Sequence, residues 1–267
     1  MSEEKLKGSL TCVGVGISIG AHISPIVRTT IQSADVVFAA SSDGLFELWL
    51  QDIHPNVVSL QQYYATGKSR KISYQEMADA LLNEVRNGKK VVGAFYGHPG
   101  VFVNPSHKAI KKARDEGYEA KMLPGISAED CLYADLGIDP GKYGCQHYEA
   151  SQFMFYKRIV DTSAYLILWQ LAFAGDNSHT ITKSDKRYLE ILKTLLLEHY
   201  SSQHHIIIYE APTNELNEII KKTIPLAELV EQTISMKSTL IIPPARELTK
   251  NNLIHNQLKN IDLLQPI

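Results

Sequence analysis

The sequence predicts an α/β protein of two lobes, with a mostly parallel sheet in the first half and a mixed sheet in the second. Three observations predict this architecture. Short apolar runs alternate with helical patterns through residue 123, which is typical of parallel strands joined by right-handed crossovers. Later strand-like runs are less regular, which favours a mixed sheet. The length of 267 residues is long for one core and suits two closely packed lobes.

The first half of the chain contains five predicted strands and the helices between them. Ser24 and Pro25 are an N-cap and a first-position proline, which mark the start of the first helix. A later helix has its apolar residues on one face and ends before Gly88. The predicted strands are 10–15, 35–40, 56–59, 90–96 and 118–123, and the later helices are 44–51, 74–86 and 106–116.

The second half is predicted from fewer signals. Apolar runs predict strands, leucines at helical spacing predict one helix, and a polar stretch predicts a loop. The strands are 164–170, 205–210 and 239–242, the helix is 185–199 and the loop is 171–184. We therefore expect an N-terminal lobe over 1–123, a C-terminal lobe over 124–245, and a polar tail with weak helical content over 246–267.

Composition excludes several classes of protein. The net charge is −2, without the clustered basic excess of a nucleic-acid-binding protein. Cys12, Cys131 and Cys145 are odd in number and far apart, which fits a reducing cytoplasm and argues against a metal site. Apolar runs are too short to span a membrane, and the charged N-terminus lacks the apolar core of a signal peptide. We expect a cytoplasmic protein without membrane or nucleic-acid partners.

Three glycine-containing loops follow predicted strands. Gly14, Gly16 and Gly20 resemble a dinucleotide fingerprint, but the spacing is one residue off and Asp35 begins the next strand instead of ending it. A tight turn with close backbone approach explains that loop equally well. The other two loops, 96–105 (YGHPGVFVNP) and 123–131 (LPGISAEDC), each lie between a strand and a helix, where open α/β sheets bind ligands.

Two residues of these loops have alternative interpretations. His98 either contacts a cofactor or is a structural loop histidine. Ser127 is a natural N-cap, which leaves ligand contact to its neighbours.

A cluster of aromatic and basic residues precedes the 74–86 helix. It contains Tyr63, Tyr64, Lys68, Arg70 and Tyr74 on a predicted loop that runs into the helix. The tyrosines either pack a lobe interface or line a reaction site.

Long motifs of the chain resemble the tetrapyrrole methylase superfamily and, within it, the borosin peptide backbone α-N-methyltransferases. The resemblance covers most of the chain and is densest from 60 to 150. The matching stretches are QYY…KSR…Y from Gln62 to Tyr74, YGHPGVFVNPSH at 96–107, MLPGISAEDC at 122–131, ADLGIDP at 134–140 and YEAS at 148–151.

This resemblance implies a cofactor, S-adenosylmethionine, bound in the cleft between the lobes. It also implies an interlocked homodimer, or with two precursor peptides a heterotetramer. The implied cofactor contacts are Tyr96, His98, Val101, Phe102, Ser127, Ala128, Gln170, Ser238 and Thr239.

Amide methylation gives the tyrosine cluster a chemical role. An amide nitrogen is a poor nucleophile because its lone pair is delocalised into the carbonyl group. We expect Arg70 and Tyr74 to stabilise the carbonyl oxygen, each well-placed donor contributing about 3–4 kcal/mol. Tyr96 would assist deprotonation near the methyl group. Tyr64 either shapes the same pocket or is a candidate base, if a guanidinium lowers its pKa.

The chain departs from the fused members of the family, which carry their substrate as a C-terminal extension. The stretch after Pro244 is too short for a linker and a core peptide, so we expect a separate precursor peptide, supplied in trans. Gln61 replaces a tyrosine of those members. His98 stands where the superfamily's small-molecule methylases usually have aspartate, which favours the peptide branch.

Two other functions remain open. A C-methyltransferase acting on a precorrin-like tetrapyrrole would share the cofactor loops without needing the tyrosine cluster. A non-catalytic peptide-binding scaffold would keep the pocket without turnover.

Overall fold

The computed structural model describes residues 8–40, 44–180, 184–214 and 217–264. For residues 262–264 it describes the main chain without the side chains. Its first sheet is entirely parallel, in the order β3-β2-β4-β1-β5. The strands are β1 Ser9–Gly14, β2 Val36–Ala40, β3 Val57–Ser59, β4 Lys90–Phe95 and β5 Glu119–Leu123. The parallel sheet of the first half is confirmed, and all five of its strands were predicted.

The second sheet is mixed, in the order β6-β7-β10-β8-β9. Strands β6 and β7 are parallel and the other pairs are antiparallel. The strands are β6 Cys145–Glu149, β7 Tyr165–Trp169, β8 His205–Glu210, β9 Ile220–Pro225 and β10 Thr239–Ile242. Strands β6 and β9 were not predicted. The strands of the two sheets lie within 9–123 and 145–242, while the lobe boundaries at 123 and 245 stay predictions.

Helices flank both sheets and supply much of the core. They are α1 Pro25–Gln32, α2 Gly44–Ile53, α3 Arg70–Arg86, α4 Asn104–Asp115, α5 Ala128–Leu136, α6 Pro140–Tyr143, α7 Ala150–Phe155, α8 Lys186–Leu197 and α9 Asn252–Leu264. Helices α3 and α4 pack apolar residues such as Met77, Leu81 and Ile110 on one face of the first sheet. Short 3₁₀ turns include Leu171–Phe173 within the predicted loop. Residues 181–183 of that loop lie outside the described residues.

The prediction that α3 begins at Tyr74 was wrong. The helix begins at Arg70, and the Ser69 hydroxyl caps it by accepting a hydrogen bond from the Lys71 N–H. Residues 70–73 contribute only one buried side chain, Ser73, so the apolar stripe used for the prediction starts a turn late. Arg70 and Tyr74 consequently lie one helical turn apart on the same helix.

Candidate active site

The loops after β1, β4 and β5 meet through main-chain atoms. The Gly16 N–H donates to the Gly97 carbonyl at 3.1 Å, and the Gly97 N–H donates to the Gly16 carbonyl at 2.9 Å. A Cβ atom at Gly125 would lie 2.4 Å from the Gly97 oxygen and 2.6 Å from the Gly14 oxygen. Close backbone approach at the Gly14 loop is therefore confirmed, and it joins the two predicted cofactor loops at one edge of the sheet.

Gly125→Ala should lower the free energy of unfolding by roughly 1–3 kcal/mol, because the added methyl group displaces main-chain atoms of two neighbouring loops. Urea denaturation measures the change. Gly44→Ala is the matched control, since its Cβ atom would meet nothing within 4 Å. Equal stability of the two variants would contradict the importance of this contact.

The loop after β4 presents an exposed aromatic ring. Phe102 is 44% exposed and has a left-handed φ of 55°. The His98 Nδ1 atom accepts a hydrogen bond from the Gly100 N–H at 2.9 Å, so the neutral imidazole carries its proton on Nε2. His98 thus stabilises the loop turn, and its Nε2–H is a donor that a ligand can use. The Val101 N–H also donates within the turn, to the His98 carbonyl at 3.2 Å.

The C-terminal end of β7 lies against this loop. The centre of the buried Trp169 ring lies 5.8 Å from the centre of the Phe102 ring. Gln170, the next residue, has a left-handed φ of 57°. The Leu171 N–H donates to the Ser238 carbonyl at 3.2 Å, which brings the start of β10 to the same place. Phe102, Gln170 and Ser238 are predicted cofactor contacts from distant parts of the chain, and the fold brings these segments together.

Two residues at this place, Phe102 and Gln170, have strained backbone conformations. Among the described residues, three non-glycine residues have positive φ: Phe102, Gln170 and His179. Two of them are predicted cofactor contacts, and the carbonyl of the third accepts a hydrogen bond from the Arg70 N–H. Such conformations cost about 1–3 kcal/mol each and recur at ligand clamps.

Some predicted contacts have structural partners inside the protein. Ser127 forms a capping box with Asp130: its hydroxyl oxygen accepts from the Asp130 N–H at 3.3 Å, and its own N–H donates to Asp130 Oδ2 at 2.7 Å, so the N-cap interpretation is confirmed. The buried Ser238 hydroxyl donates to Glu210 Oε1 at 2.5 Å, and Thr239 is also buried. Ala128 begins α5 and is half-buried, so it is the better candidate for contact with a ligand.

Tyr96 directly follows β4, and its N–H donates to the Ala40 carbonyl at 3.3 Å. Its hydroxyl lies within electrostatic reach of Tyr209. Burial and a hydrogen bond to Asp135 raise the pKa of Tyr209, and the neighbouring Tyr96 adds a smaller effect in the same direction.

Tyr64, Arg70 and Tyr74 of the tyrosine cluster lie near one another, with Arg70 and Tyr74 on α3. The rings of Tyr64 and Tyr74 meet edge to face with their centroids 6.4 Å apart. Burial and the neighbouring Tyr74 raise the pKa of Tyr64, and these effects outweigh the lowering by Arg70. The Tyr64 hydroxyl therefore stays protonated at neutral pH, which suits a hydrogen-bond donor better than a base. The Tyr63 carbonyl accepts from Lys68 Nζ and the Ser73 hydroxyl, each at 2.9 Å.

Arg70 connects the two halves of the protein. Its Nη2 atom lies 2.9 Å from Asp176 Oδ2, and its guanidinium group lies 4.1 Å from the centre of the Phe173 ring. Asp176 is 1% exposed and also accepts from the Ser178 hydroxyl and the His179 N–H. The guanidinium group is thus held in a fixed place beside the tyrosine cluster.

Sequence reasoning missed Asp176, Phe173 and Trp169. Asp176 and Phe173 fall in the predicted loop, where an acidic and an aromatic residue have no periodic pattern. The available signal was a lone acidic residue soon after a strand. Among the described residues, no group of three His, Cys, Asp or Glu side chains is placed to hold a metal ion, and no helix is long and apolar enough to cross a membrane.

The fold and this sheet edge define a class of enzyme. The family of tetrapyrrole (corrin/porphyrin) methylases matches residues 9–229, and the chain belongs to it. Solved structures with the same fold include uroporphyrin-III C-methyltransferase from Thermus thermophilus, with a TM-score of 0.64 and 16% identity over 89% of this chain and 94% of that one. Diphthine synthase aligns with a TM-score of 0.60 and 15% identity over 94% of this chain and 95% of that one.

Curated relatives share more of the sequence. The methyltransferase/ribosomally synthesized cyclic peptide gymnopeptides precursor of Gymnopus fusipes is 43% identical over 91% of this chain and 59% of its own length. The corresponding omphalotin A precursor of Omphalotus olearius is 39% identical over 94% of this chain and 61% of its own length. The chain thus spans about three fifths of these relatives.

Proposed function

We propose that the protein is an S-adenosylmethionine-dependent methyltransferase that N-methylates backbone amides of a ribosomally made precursor peptide, iteratively, in the cytoplasm. The observation that carries the proposal is the 39–43% identity to methyltransferases whose names join them to cyclic peptide precursors. The precursor is a separate chain supplied in trans, and the enzyme is a homodimer, or a heterotetramer with two precursors.

The residues at the sheet edge fit a methyl donor of this kind. An exposed Phe102 ring suits an apolar part of the donor, while the half-buried Gln170 amide and the His98 Nε2–H suit its polar parts. Val101, Tyr96 and Ala128 come from the same loops and would complete the pocket, with Ser127, Ser238 and Thr239 stabilising its walls. When bound, the donor supplies an electrophilic methyl group.

The chain's own residues would lower the barrier at the amide. Arg70 and Tyr74 would donate hydrogen bonds to the peptide carbonyl oxygen, where negative charge develops as the amide proton leaves. The protonated hydroxyl of Tyr64 would be a further donor in the same pocket. Tyr96, between the donor loop and the first sheet, would assist removal of the proton.

Co-expression with candidate precursor peptides, followed by fragment mass analysis, tests the proposal. We expect mass gains in methyl steps that localise to backbone amides. Mixing separately purified enzyme and peptide with the donor tests supply in trans. Donor binding without peptide methylation would overturn the peptide substrate and direct the search to tetrapyrroles. If neither peptides nor tetrapyrroles are methylated, the result would favour a non-catalytic peptide-binding scaffold.

A further inference from the structure

A chain of hydrogen-bonded side chains lies behind the Phe102 ring. The Trp169 Nε1–H donates to His147 Nδ1 at 3.1 Å, with the two rings nearly parallel at 12°. His147 Nε2 lies 3.0 Å from the Tyr133 hydroxyl oxygen. That hydroxyl lies 2.9 Å from Glu129 Oε1. These hydrogen bonds connect α5, β6 and β7 on the face of the second sheet that carries the candidate donor site.

The chemistry of the indole fixes the direction of each of these hydrogen bonds. An indole N–H can only donate, so His147 Nδ1 must accept. The neutral imidazole then carries its proton on Nε2 and donates to the Tyr133 oxygen. The single Tyr133 hydroxyl proton is left for the Glu129 carboxylate, which only accepts. Each donor therefore has an acceptor, provided that His147 is neutral.

We propose that His147 is a positioning residue of the methyl-donor site, holding the Trp169 indole in the orientation that supports Phe102 and Gln170. The inference rests on the proposed function. Phe102 and Gln170 both have strained backbone conformations, which persist only where the surrounding structure enforces them. Trp169 contacts the first and directly precedes the second. A rotated indole would release both conformations together.

This arrangement makes donor binding sensitive to acid. The groups facing His147 are Glu129 and Tyr133 from α5, Trp169 from β7, and the thiol of Cys145 beside Tyr133 on its own strand. Burial lowers the pKa of His147, and Glu129 opposes this. Protonation would place an N–H opposite the Trp169 N–H. The pKa of His147 in the folded protein lies below its ordinary value of about 6.5. The hydrogen-bonded arrangement is therefore intact above about pH 6.5, and it is lost as the pH falls through the lowered pKa of His147.

Donor binding and Trp169 fluorescence test the inference in the full chain. Trp49→Phe leaves Trp169 as the only tryptophan of the chain, since the chain has two. In that background we expect His147→Leu to weaken S-adenosylmethionine binding by about tenfold in calorimetry and to shift the Trp169 emission. His147→Gln keeps an acceptor and a donor without titrating. It should bind within about threefold of the parent at neutral pH and lose the acid sensitivity.

His204→Leu is the matched control, because His204 also stacks on an aromatic ring, that of Tyr200, and hydrogen-bonds the carbonyl of Pro243 directly after β10. It should reduce stability without changing donor affinity. If the parent binds the donor and His147→Leu binds it equally well, the positioning role of His147 is overturned and the proposed function is not. A parent that binds no donor overturns the proposed function and, with it, the positioning role of His147. If the parent binds donor but methylates no peptide, the peptide substrate is overturned, and weaker donor binding in His147→Leu still supports the positioning role.

Discussion

Asp176→Asn should lower the free energy of unfolding by about 3–5 kcal/mol, the usual loss when a buried ion pair is deprived of one partner. Asp176 is 1% exposed and Arg70 is 16% exposed, so water can replace little of the lost interaction. The Ser178 hydroxyl and the His179 N–H also lose a charged acceptor. Chemical denaturation, followed by circular dichroism, measures the change.

Asp79→Asn is the matched control for this prediction. Asp79 lies 2.9 Å from Lys112 in an ion pair whose side chains are about two fifths exposed. Such pairs contribute less than about 1 kcal/mol because water and salt screen them. A similar loss in both variants would show that the Arg70 pair has no special importance. Slower methyl transfer in Asp176→Asn, at temperatures where it remains folded, would show that the pair also holds Arg70 in place for the reaction.

Arg70→Lys and Tyr74→Phe should each slow methyl transfer about a hundredfold to a thousandfold, the usual loss when one donor to a developing oxyanion is removed. Lysine keeps the charge but cannot present the planar guanidinium group that lies over Phe173 and reaches Asp176. Phenylalanine keeps the edge-to-face packing with Tyr64 and removes only the hydroxyl. Single-turnover rates with saturating donor isolate the chemical step from binding.

Exposed residues of the same types provide the controls. Tyr156→Phe and Arg187→Lys lie on the surface and should leave the rate unchanged. Donor affinity should remain within about threefold of the parent in both reaction-site variants, because neither residue is in the donor loops. If neither variant slows the reaction more than about tenfold, the roles assigned to Arg70 and Tyr74 are wrong.

The edge strands of the first sheet, β3 and β5, are only partly buried, but they alternate regularly with helical patterns. The sequence predicted the central strands β1, β2 and β4 well because they are mostly buried, locally apolar runs. It missed β6 and β9 for a physical reason. These are the two edge strands of the second sheet, and their polar sequences, CQHYE and IKKTIP, are only half-buried or largely exposed. Edge strands need less apolar surface than central ones, so hydrophobic pattern identifies them poorly.

The candidate site was predictable where motifs are continuous and not where it depends on distant contacts. The loops at 96–105 and 123–131 and the Tyr64–Arg70–Tyr74 cluster were visible as motifs. The partner of Arg70 is 106 positions away, which no local pattern reveals. The left-handed conformations of Phe102 and Gln170 were equally hidden, because neither is a glycine.

The position of β1 in the first sheet has a consequence for synthesis of the chain. β1 precedes the other described strands, and its partners among them are β4 and β5, with about 80 residues between β1 and β4. At about 5–20 residues per second, its apolar residues remain unpaired on the ribosome for roughly 4–16 s. Strands β2 and β3, which pair with each other, can associate during that interval. The nascent chain should therefore need protection by a chaperone until β4 has emerged, and slower translation would lengthen that exposure.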